Sequence, residues 1–352
     1  MRSPATGATS STSSPRARTV RIADVTEDAF TVGIVGAGPV GLAAAIAARR
    51  LGLEARVWDR GPLCASITAY PVNMAFFTTN ELLEIGDHPM VSLGPKATRR
   101  EALDYYRKVA ERERLDVVTH TEVTRILPDA PGFSVMTKGR AGERSTRCAA
   151  VVVATGYYHR PRLLGVPGEE LPHVSHYYTE AHPFWRRRVV IVGAGNSAAE
   201  AALELWRAGA DVTMLVRGSQ VRDTVKYWVR PDLENRLREG SIRALFGARV
   251  ERITPAAVYY GSGGAAGELA ADAVLLLTGF VADATLVREA GGTVRADGSV
   301  VLADATFETT VPGLYVVGSA GYGERTGEVF IENGRAHAQA AISHIAGRLA
   351  GR

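Results

Sequence analysis

Two glycine-rich turns, about half a chain apart, constrain this 352-residue sequence more than any other feature. The first reads Gly36-Ala-Gly38-Pro39-Val40-Gly41 and follows the apolar run Thr31–Val35. The second reads Gly193-Ala-Gly195-Asn196-Ser197-Ala198 and follows Val189–Val192. Each opens an alanine- and leucine-rich stretch of helical character, and this strand–turn–helix setting gives the motif its weight. The first glycine makes the tight turn, the second lets backbone approach a pyrophosphate, and the third small residue lets helix pack on strand. Unpaired N–H groups at the helix N-terminus then face the phosphates. Two such turns in one chain predict two dinucleotides held face to face, the arrangement in which a nicotinamide and a flavin exchange a hydride.

The end of the second strand in each unit distinguishes the two sites. After the first turn the chain reads Leu53-Glu-Ala-Arg-Val-Trp-Asp59, placing a carboxylate 23 residues beyond Gly36, where an acid accepts hydrogen bonds from ribose hydroxyls. After the second, Asp211-Val-Thr-Met-Leu-Val-Arg217 ends without an acid, and Arg222 follows. Guanidinium groups suit a 2′-phosphate, so FAD is expected at the first site and NADPH at the second. The alternative is that Arg217 and Arg222 are solvated surface charges.

No apolar run reaches the length of a membrane span, so no transmembrane helix is expected. The net charge is only +4, and no basic stripe interleaves with aromatics, which argues against nucleic-acid binding. Lysine is rare: Lys96, Lys108, Lys138 and Lys226 are four of 41 basic residues. Met1–Ala29 is Ser-, Thr- and Arg-rich and lacks the apolar core of a secretory signal. It is expected to be a disordered leader; its acid-poor start also allows an organellar transit peptide. Cys64 and Cys148 provide no disulfide framework and are compatible with a reducing cytoplasm. No Cys-x-x-Cys occurs.

The first unit is expected to run strand Thr31–Val35, helix Val40–Leu51, strand Ala55–Asp59. An irregular stretch, Gly61–Pro95, follows, then a helix over Thr98–Arg112 with a threonine N-cap. Strands at Asp116–Thr119, Glu122–Ile126, Phe133–Thr137 and Cys148–Ala154 are read as a small sheet. Pro161, Pro167 and Pro172 punctuate a crossing segment, the second unit covers His173–Leu277, and Ala271–Gly279 forms the return crossing. Gly313–Gly318 is another strand-to-glycine element, and Thr326–Leu349 an amphipathic helix.

The motifs Gly36–Gly41, Ala154–Gly156, Gly193–Glu200, Thr278-Gly279 and Gly313–Gly318 together resemble those of thioredoxin-reductase-like flavoproteins over Val32–Arg348. Within that group, Asn73-Met-Ala-Phe-Phe-Thr-Thr79, Leu83-Glu-Ile-Gly86, Ala154-Thr-Gly-Tyr-Tyr158, Val174-Ser-His-Tyr-Tyr178, Val225-Lys-Tyr-Trp228 and Phe330-Ile-Glu-Asn-Gly-Arg335 resemble the bacillithiol-disulfide-reductase family. The resemblance implies an FAD enzyme that uses NADPH to reduce the disulfide of a low-molecular-weight thiol. Three departures limit it. Thioredoxin reductases carry their dithiol just ahead of the second turn, where this chain has Tyr177-Tyr-Thr-Glu180, so no dithiol relay can form. The acid usual after the late glycine is absent from Gly318-Ser-Ala320, as it is from the bacillithiol-linked subfamily. The cysteine that well-known members carry in the first turn is Val40.

Cys64, in the loop leaving the Asp59 strand, is the single catalytic candidate, as a thiol of lowered pKa; the other reading is a buried, inert side chain. His176, Tyr177 and Tyr178 are read either as lining the nicotinamide–flavin interface or as interdomain packing. Glu332, Asn333, Arg335 and His337 are placed at the flavin pyrimidine edge. Arg99 and Arg100 are read as a solvated helix face, with attraction of an anionic substrate as the alternative.

The predicted fold is α/β, with two Rossmann-like dinucleotide-binding domains of three-layer ββα form and the NADPH domain inserted in a discontinuous FAD domain. The expected limits are 1–29 for the leader, 30–160 and 279–352 for the FAD domain, and 161–278 for the NADPH domain. FAD is expected to contact Gly36, Gly38, Pro39, Gly41, Asp59, Ala154, Thr155, Gly156, Gly318 and Ile331. NADPH is expected to contact Gly193, Gly195, Asn196, Ser197, Ala198, Arg217, Arg222 and Gly279. No metal site is expected. The expected protein is a cytoplasmic homo-oligomer acting on a small thiol disulfide. A ferredoxin/flavodoxin–NADP reductase, a flavin monooxygenase and a non-catalytic redox sensor are the alternatives.

Overall fold

The computed structural model describes residues 29–351. The expected leader lies outside them except at Ala29, which opens the first strand. In chain order the first unit contains β1 (Ala29–Val35), α1 (Pro39–Arg50), β2 (Ala55–Trp58), α2 (Ala65–Thr68), α3 (Asn80–Leu83), α4 (Arg99–Arg112), β3 (Asp116–Val118), β4 (Thr121–Asp129), β5 (Gly132–Gly139) and β6 (Gly142–Val153). α1 opens with Pro39 in its first turn, where the missing N–H costs nothing. α4 has the expected Thr98 cap, closed as a capping box with Glu101.

β1 lies parallel between β2 and the C-terminal half of β6, with Val32 opposite Ala55 and Ala150. The N-terminal half of β6 turns antiparallel to β5, pairing Arg147 with Ser134. The strands read as a small sheet are therefore part of one seven-stranded sheet with β1 and β2. β6 began earlier than expected because its first residues alternate with solvent-facing polar side chains, whereas only its apolar end carries a buried-strand signal.

The second unit follows with β7 (Val174–Ser175), β8 (Arg188–Val192), α5 (Asn196–Arg207), β9 (Asp211–Val216), α6 (Arg230–Arg238), β10 (Arg243–Phe246), β11 (Ala248–Ile253), β12 (Ala257–Ser262), β13 (Ala265–Ala270) and β14 (Ala273–Leu276). Five strands form a parallel sheet in the order β10-β9-β8-β14-β7, and β11-β12-β13 form an antiparallel meander. Alternate side chains serve opposite faces. Ile191 and Met214 pack on Leu205 of α5, while Val190, Leu215 and Leu276 pack on Val258 and Ile253 of the meander. Three layers result, and each fully buried aliphatic side chain contributes about 1.5–3 kcal/mol.

The chain then returns through α7 (Thr285–Glu289), β15 (Leu314–Val316) and α8 (Ile331–Ala350). β15 joins the first sheet beside β6, with Leu314 opposite Val151. α8 starts five residues later than Thr326 because Asn333 Oδ1 accepts the Phe330 N–H at 2.7 Å and fixes the cap there. The first sheet repeats the layering. Ile34 and Val152 face Ala45 of α1 and Ile345 of α8, while Val151 and Val153 face Phe133 and Val135.

Two crossings connect the sheets and pair with each other. The Arg162 N–H donates to Gly279 O at 2.9 Å, and Thr278 Oγ1 donates to Arg162 O at 2.7 Å. A third tie runs from the Val72 N–H to Thr179 O at 2.8 Å.

Candidate active site

A cleft of about 1320 Å³ runs between the two glycine-rich turns. Gly36 has φ 108°, and a Cβ there would stand 2.6 Å from Ala154 O; one on Gly41 would stand 1.9 Å from Gly36 O. The turn thus closes on its own backbone, and Gly41 lies behind the cleft wall rather than on it. A Cβ on Gly38 would meet nothing within 4 Å. That open space is the cradle a pyrophosphate needs.

Asp59 lines the cleft and staples the turn. Its Oδ2 accepts the Ala37 N–H and its Oδ1 the Gly61 N–H, both at 2.8 Å. Each carboxylate oxygen keeps a second lone pair for a ribose hydroxyl. Pro39, Ala154, Thr155, Gly156, Gly318 and Ile331 share the same wall. Thr155 Oγ1 is buried without a hydrogen-bond partner among the described residues, as a hydroxyl reserved for a ligand would be. Turn, acid and orphaned hydroxyl together fit FAD.

The second turn repeats this geometry. Gly193 has φ 145° and would bring a Cβ within 2.4 Å of Leu277 O, whereas Gly195 faces open space. Ser197 and Gly279 are on the wall; Ala198 is fully buried behind it. Asn196 is occupied with its own loop: its Oδ1 accepts the Lys226 N–H at 2.8 Å and its Nδ2 donates to Thr224 O at 3.2 Å. The Arg222 N–H donates to Ala194 O at 3.2 Å, which hangs Arg222 beside the turn. Arg217 and Arg222 both line the cleft and are exposed. Neither guanidinium has an ion pair among the described residues.

Val40 occupies the cysteine position of the first turn and wedges against two glycines. A Cβ on Gly318 would meet its methyls at 3.2 Å, and one on Gly334 at 2.9 Å. Cys64 lines the cleft but is buried, in a left-handed backbone with φ 55°. Burial, and then the charge of Asp59, push its thiol well above the ordinary value, so no thiolate forms at neutral pH. Burial raises Cys148 to about 12.

Of the four residues expected at the flavin edge, Glu332 alone lies on the cleft. Arg335 turns away to donate to Glu81 O and Glu84 O at 3.0 and 2.6 Å. His337 stacks on Phe307 at 4.0 Å, and burial lowers its pKa. Successive residues rotate by about 100° around a helix, so the run cannot share one face. Arg99 is also not free: it donates to the carbonyls of Ile67 and Thr68. Tyr177 donates to Tyr158 O at 3.0 Å and Tyr178 to Glu204 at 2.6 Å. The Tyr177 ring therefore packs between the units, the Tyr178 ring lies in the core of the second unit, and Tyr178 and His176 reach the cleft wall. Sequence reasoning missed Lys96, Glu200, Lys226 and Trp228, all on this wall; the scarcity of lysine was the available signal.

Residues 33–318 match the family described as pyridine nucleotide-disulphide oxidoreductase. The chain belongs to that family. It is 38% identical over 323 residues to bacilliredoxin reductase Bdr of Bacillus subtilis (strain 168), covering 91% of this chain and 97% of the relative. The structure of bacillithiol disulfide reductase Bdr (YpdA) from Bacillus cereus superimposes with a TM-score of 0.89 at 37% identity, over 91% of this chain and 100% of that one. The Staphylococcus aureus structure of the same description gives 0.86 at 32% identity, over 91% and 99%. As a pyridine nucleotide-disulphide oxidoreductase, the chain is an FAD-dependent disulfide reductase that draws electrons from a nicotinamide dinucleotide. These similarities favour the disulfide-reductase reading over the ferredoxin-reductase, monooxygenase and sensor alternatives. Among the described residues no helix is long and apolar enough to cross a membrane.

Proposed function

We propose that this enzyme uses NADPH to reduce bacillithiol disulfide, without a protein dithiol. The observation that carries the proposal is a cleft holding two dinucleotide turns and no cysteine pair, with Val40 and the stretch Tyr177-Tyr-Thr-Glu180 at the places where similar flavoproteins carry redox sulfur. The reaction balances as NADPH + H⁺ + RSSR → NADP⁺ + 2 RSH: one hydride supplies two electrons, the S–S bond breaks, and solvent supplies the remaining proton. Bound FAD supplies a two-electron store between hydride donor and sulfur.

In this reading the residues of the chain bind and orient. N–H groups at the start of α1 face the FAD pyrophosphate, Asp59 its ribose, and Thr155 Oγ1 gains the partner it lacks. The start of α5 faces the NADPH pyrophosphate, and Arg217 and Arg222 take the 2′-phosphate, whose charge-assisted hydrogen bonds exceed neutral ones in strength. Val40 and Cys64 are apolar wall. The site residues, the division into an inserted NADPH domain and a split FAD domain, a cytoplasmic setting and homo-oligomeric assembly all belong to this proposal. The descriptions of the Bacillus cereus and Staphylococcus aureus structures as bacillithiol disulfide reductases support the substrate.

The test is anaerobic NADPH oxidation with an acceptor panel of bacillithiol disulfide, glutathione disulfide, cystine, coenzyme A disulfide and ferredoxin. Bacillithiol disulfide is expected to give the highest kcat/KM; turnover with ferredoxin alone would reject the assignment.

A further inference from the structure

We propose that Lys96, set over the indole of Trp228 at the junction of the two units, binds a carboxylate on the arm of the disulfide substrate. The inference rests on the disulfide-reductase reading and adds which part of the substrate is recognised, and by what.

Several charges on the cleft wall have partners, among them Glu204, which accepts the Tyr178 hydroxyl at 2.6 Å. Glu200 pairs with Lys226 and Glu324 with Arg162, Asp59 holds two backbone N–H groups, and Arg217 and Arg222 stand at the phosphate end. Of the remainder, Arg249 stands in the meander and Glu332 at the start of α8. Lys96 has neither ion pair nor hydrogen bond among the described residues. Its ammonium lies 4.1 Å from the centroid of the Trp228 ring, a contact that attracts a cation without neutralising it. Lys226 lies 5.8 Å from the same centroid. Two ammonium groups thus share one indole while a single carboxylate, Glu200, offsets them. This local excess of one positive charge is what one carboxylate of a ligand would complete.

Both supports are held in place. Around Lys96, the Phe76 N–H donates to Ala97 O at 2.9 Å and the Asn80 N–H to Pro95 O at 3.2 Å; Asn80 Nδ2 also binds Ser92 Oγ and Gly94 O. Trp228 sits on a turn anchored by Asn196 through Lys226, and the Arg230 N–H closes that turn on Lys226 O at 3.0 Å. Trp228 stays 45% exposed and Tyr227 82%, packed edge to face at 4.8 Å. An aromatic plate of this kind offers apolar surface to the arm that carries the carboxylate. Two of the chain's four lysines meet here, one from each unit. A substrate bound between them would span the same mouth that NADPH and FAD share.

The test compares three disulfides that differ in arm charge: 3,3′-dithiodipropionate (anionic), hydroxyethyl disulfide (neutral) and cystamine (cationic). Bacillithiol disulfide is run beside them. For each, kcat/KM of Lys96→Gln and Lys96→Glu is divided by the wild-type value, which cancels the intrinsic reactivity of the disulfide. With Lys96→Gln, the ratio for the anionic disulfide is expected to fall about tenfold below that for the neutral one. Lys96→Glu should deepen this loss and raise the ratio for cystamine above one, an inversion that loss of packing would not produce. Lys96→Arg should restore the anionic preference. Equal ratios across the three charges would overturn the proposal, as would an effect confined to the KM for NADPH, which assigns the cation to the nucleotide. If wild-type enzyme turns over none of the four disulfides, the disulfide-reductase reading fails first and this proposal with it.

Discussion

Arg217 directly follows β9, where a carboxylate would otherwise read a free 2′-hydroxyl, and no carboxylate among the described residues holds its guanidinium. Losing one charge-assisted phosphate contact costs roughly 1.5–3 kcal/mol. Arg217→Ala is therefore expected to raise the KM for NADPH about tenfold or more, with little change for NADH; equal losses would mean that Arg217 does not read the phosphate. Cys64 tests the opposite expectation. Its thiol is buried and held protonated by desolvation beside Asp59. Iodoacetamide at pH 8 should label it only after unfolding, and Cys64→Ala should keep both flavin reduction and disulfide turnover within about threefold of wild type. Normal flavin reduction with abolished turnover would identify a thiol relay. Arg217 was legible because an acid is missing at a position counted from the turn. Lys96 was not, because the indole beneath it comes from the other unit, and a pair distant in sequence leaves no periodic trace.

At the scale of elements, the turns make separable demands on stability and on ligand. A methyl on Gly38 meets no protein atom within 4 Å, whereas one on Gly41 meets Gly36 O at 1.9 Å. Gly38→Ala should leave the apoprotein's urea midpoint near wild type and sharply reduce the FAD retained after desalting. Gly41→Ala must push α1 off its turn, an overpacking that costs about 1–3 kcal/mol, and should lower both. Equal midpoints for the two variants would disprove this division of labour. The sequence patterns exposed β1, α1, β8, α5 and β9 because buried parallel strands and alanine-rich helices are periodic and long. They hid the first half of β6, where polar residues face solvent, and placed the start of α8 early, because side-chain capping by Asn333 rather than hydropathy sets it.

At the scale of the molecule, no motif states how the two units face each other. That geometry comes from the paired crossings and the rings around them, residues that carry no local signature. Phe280 lies on the second crossing, 4.4 Å from the Tyr158 ring, 5.7 Å from Tyr177 and 6.2 Å from Tyr157. Each aromatic pair contributes about 0.5–1.5 kcal/mol beyond its buried area, so Phe280→Ala should loosen the junction while leaving both turns intact. Hydride transfer requires the donor and acceptor rings in near-attack geometry, and displacement by about 1 Å can cost up to a hundredfold. NADPH-dependent flavin reduction in Phe280→Ala is therefore expected to slow at least tenfold in stopped flow. FAD content and the calorimetric Kd for NADP⁺ should stay within about threefold, because the ring's aromatic partners, Tyr157, Tyr158 and Tyr177, lie outside both glycine-rich turns. A reduction rate within twofold of wild type would show that the aromatic cluster does not set the approach of the two dinucleotides. A matching loss of NADP⁺ affinity would instead place Phe280 in the nucleotide site itself.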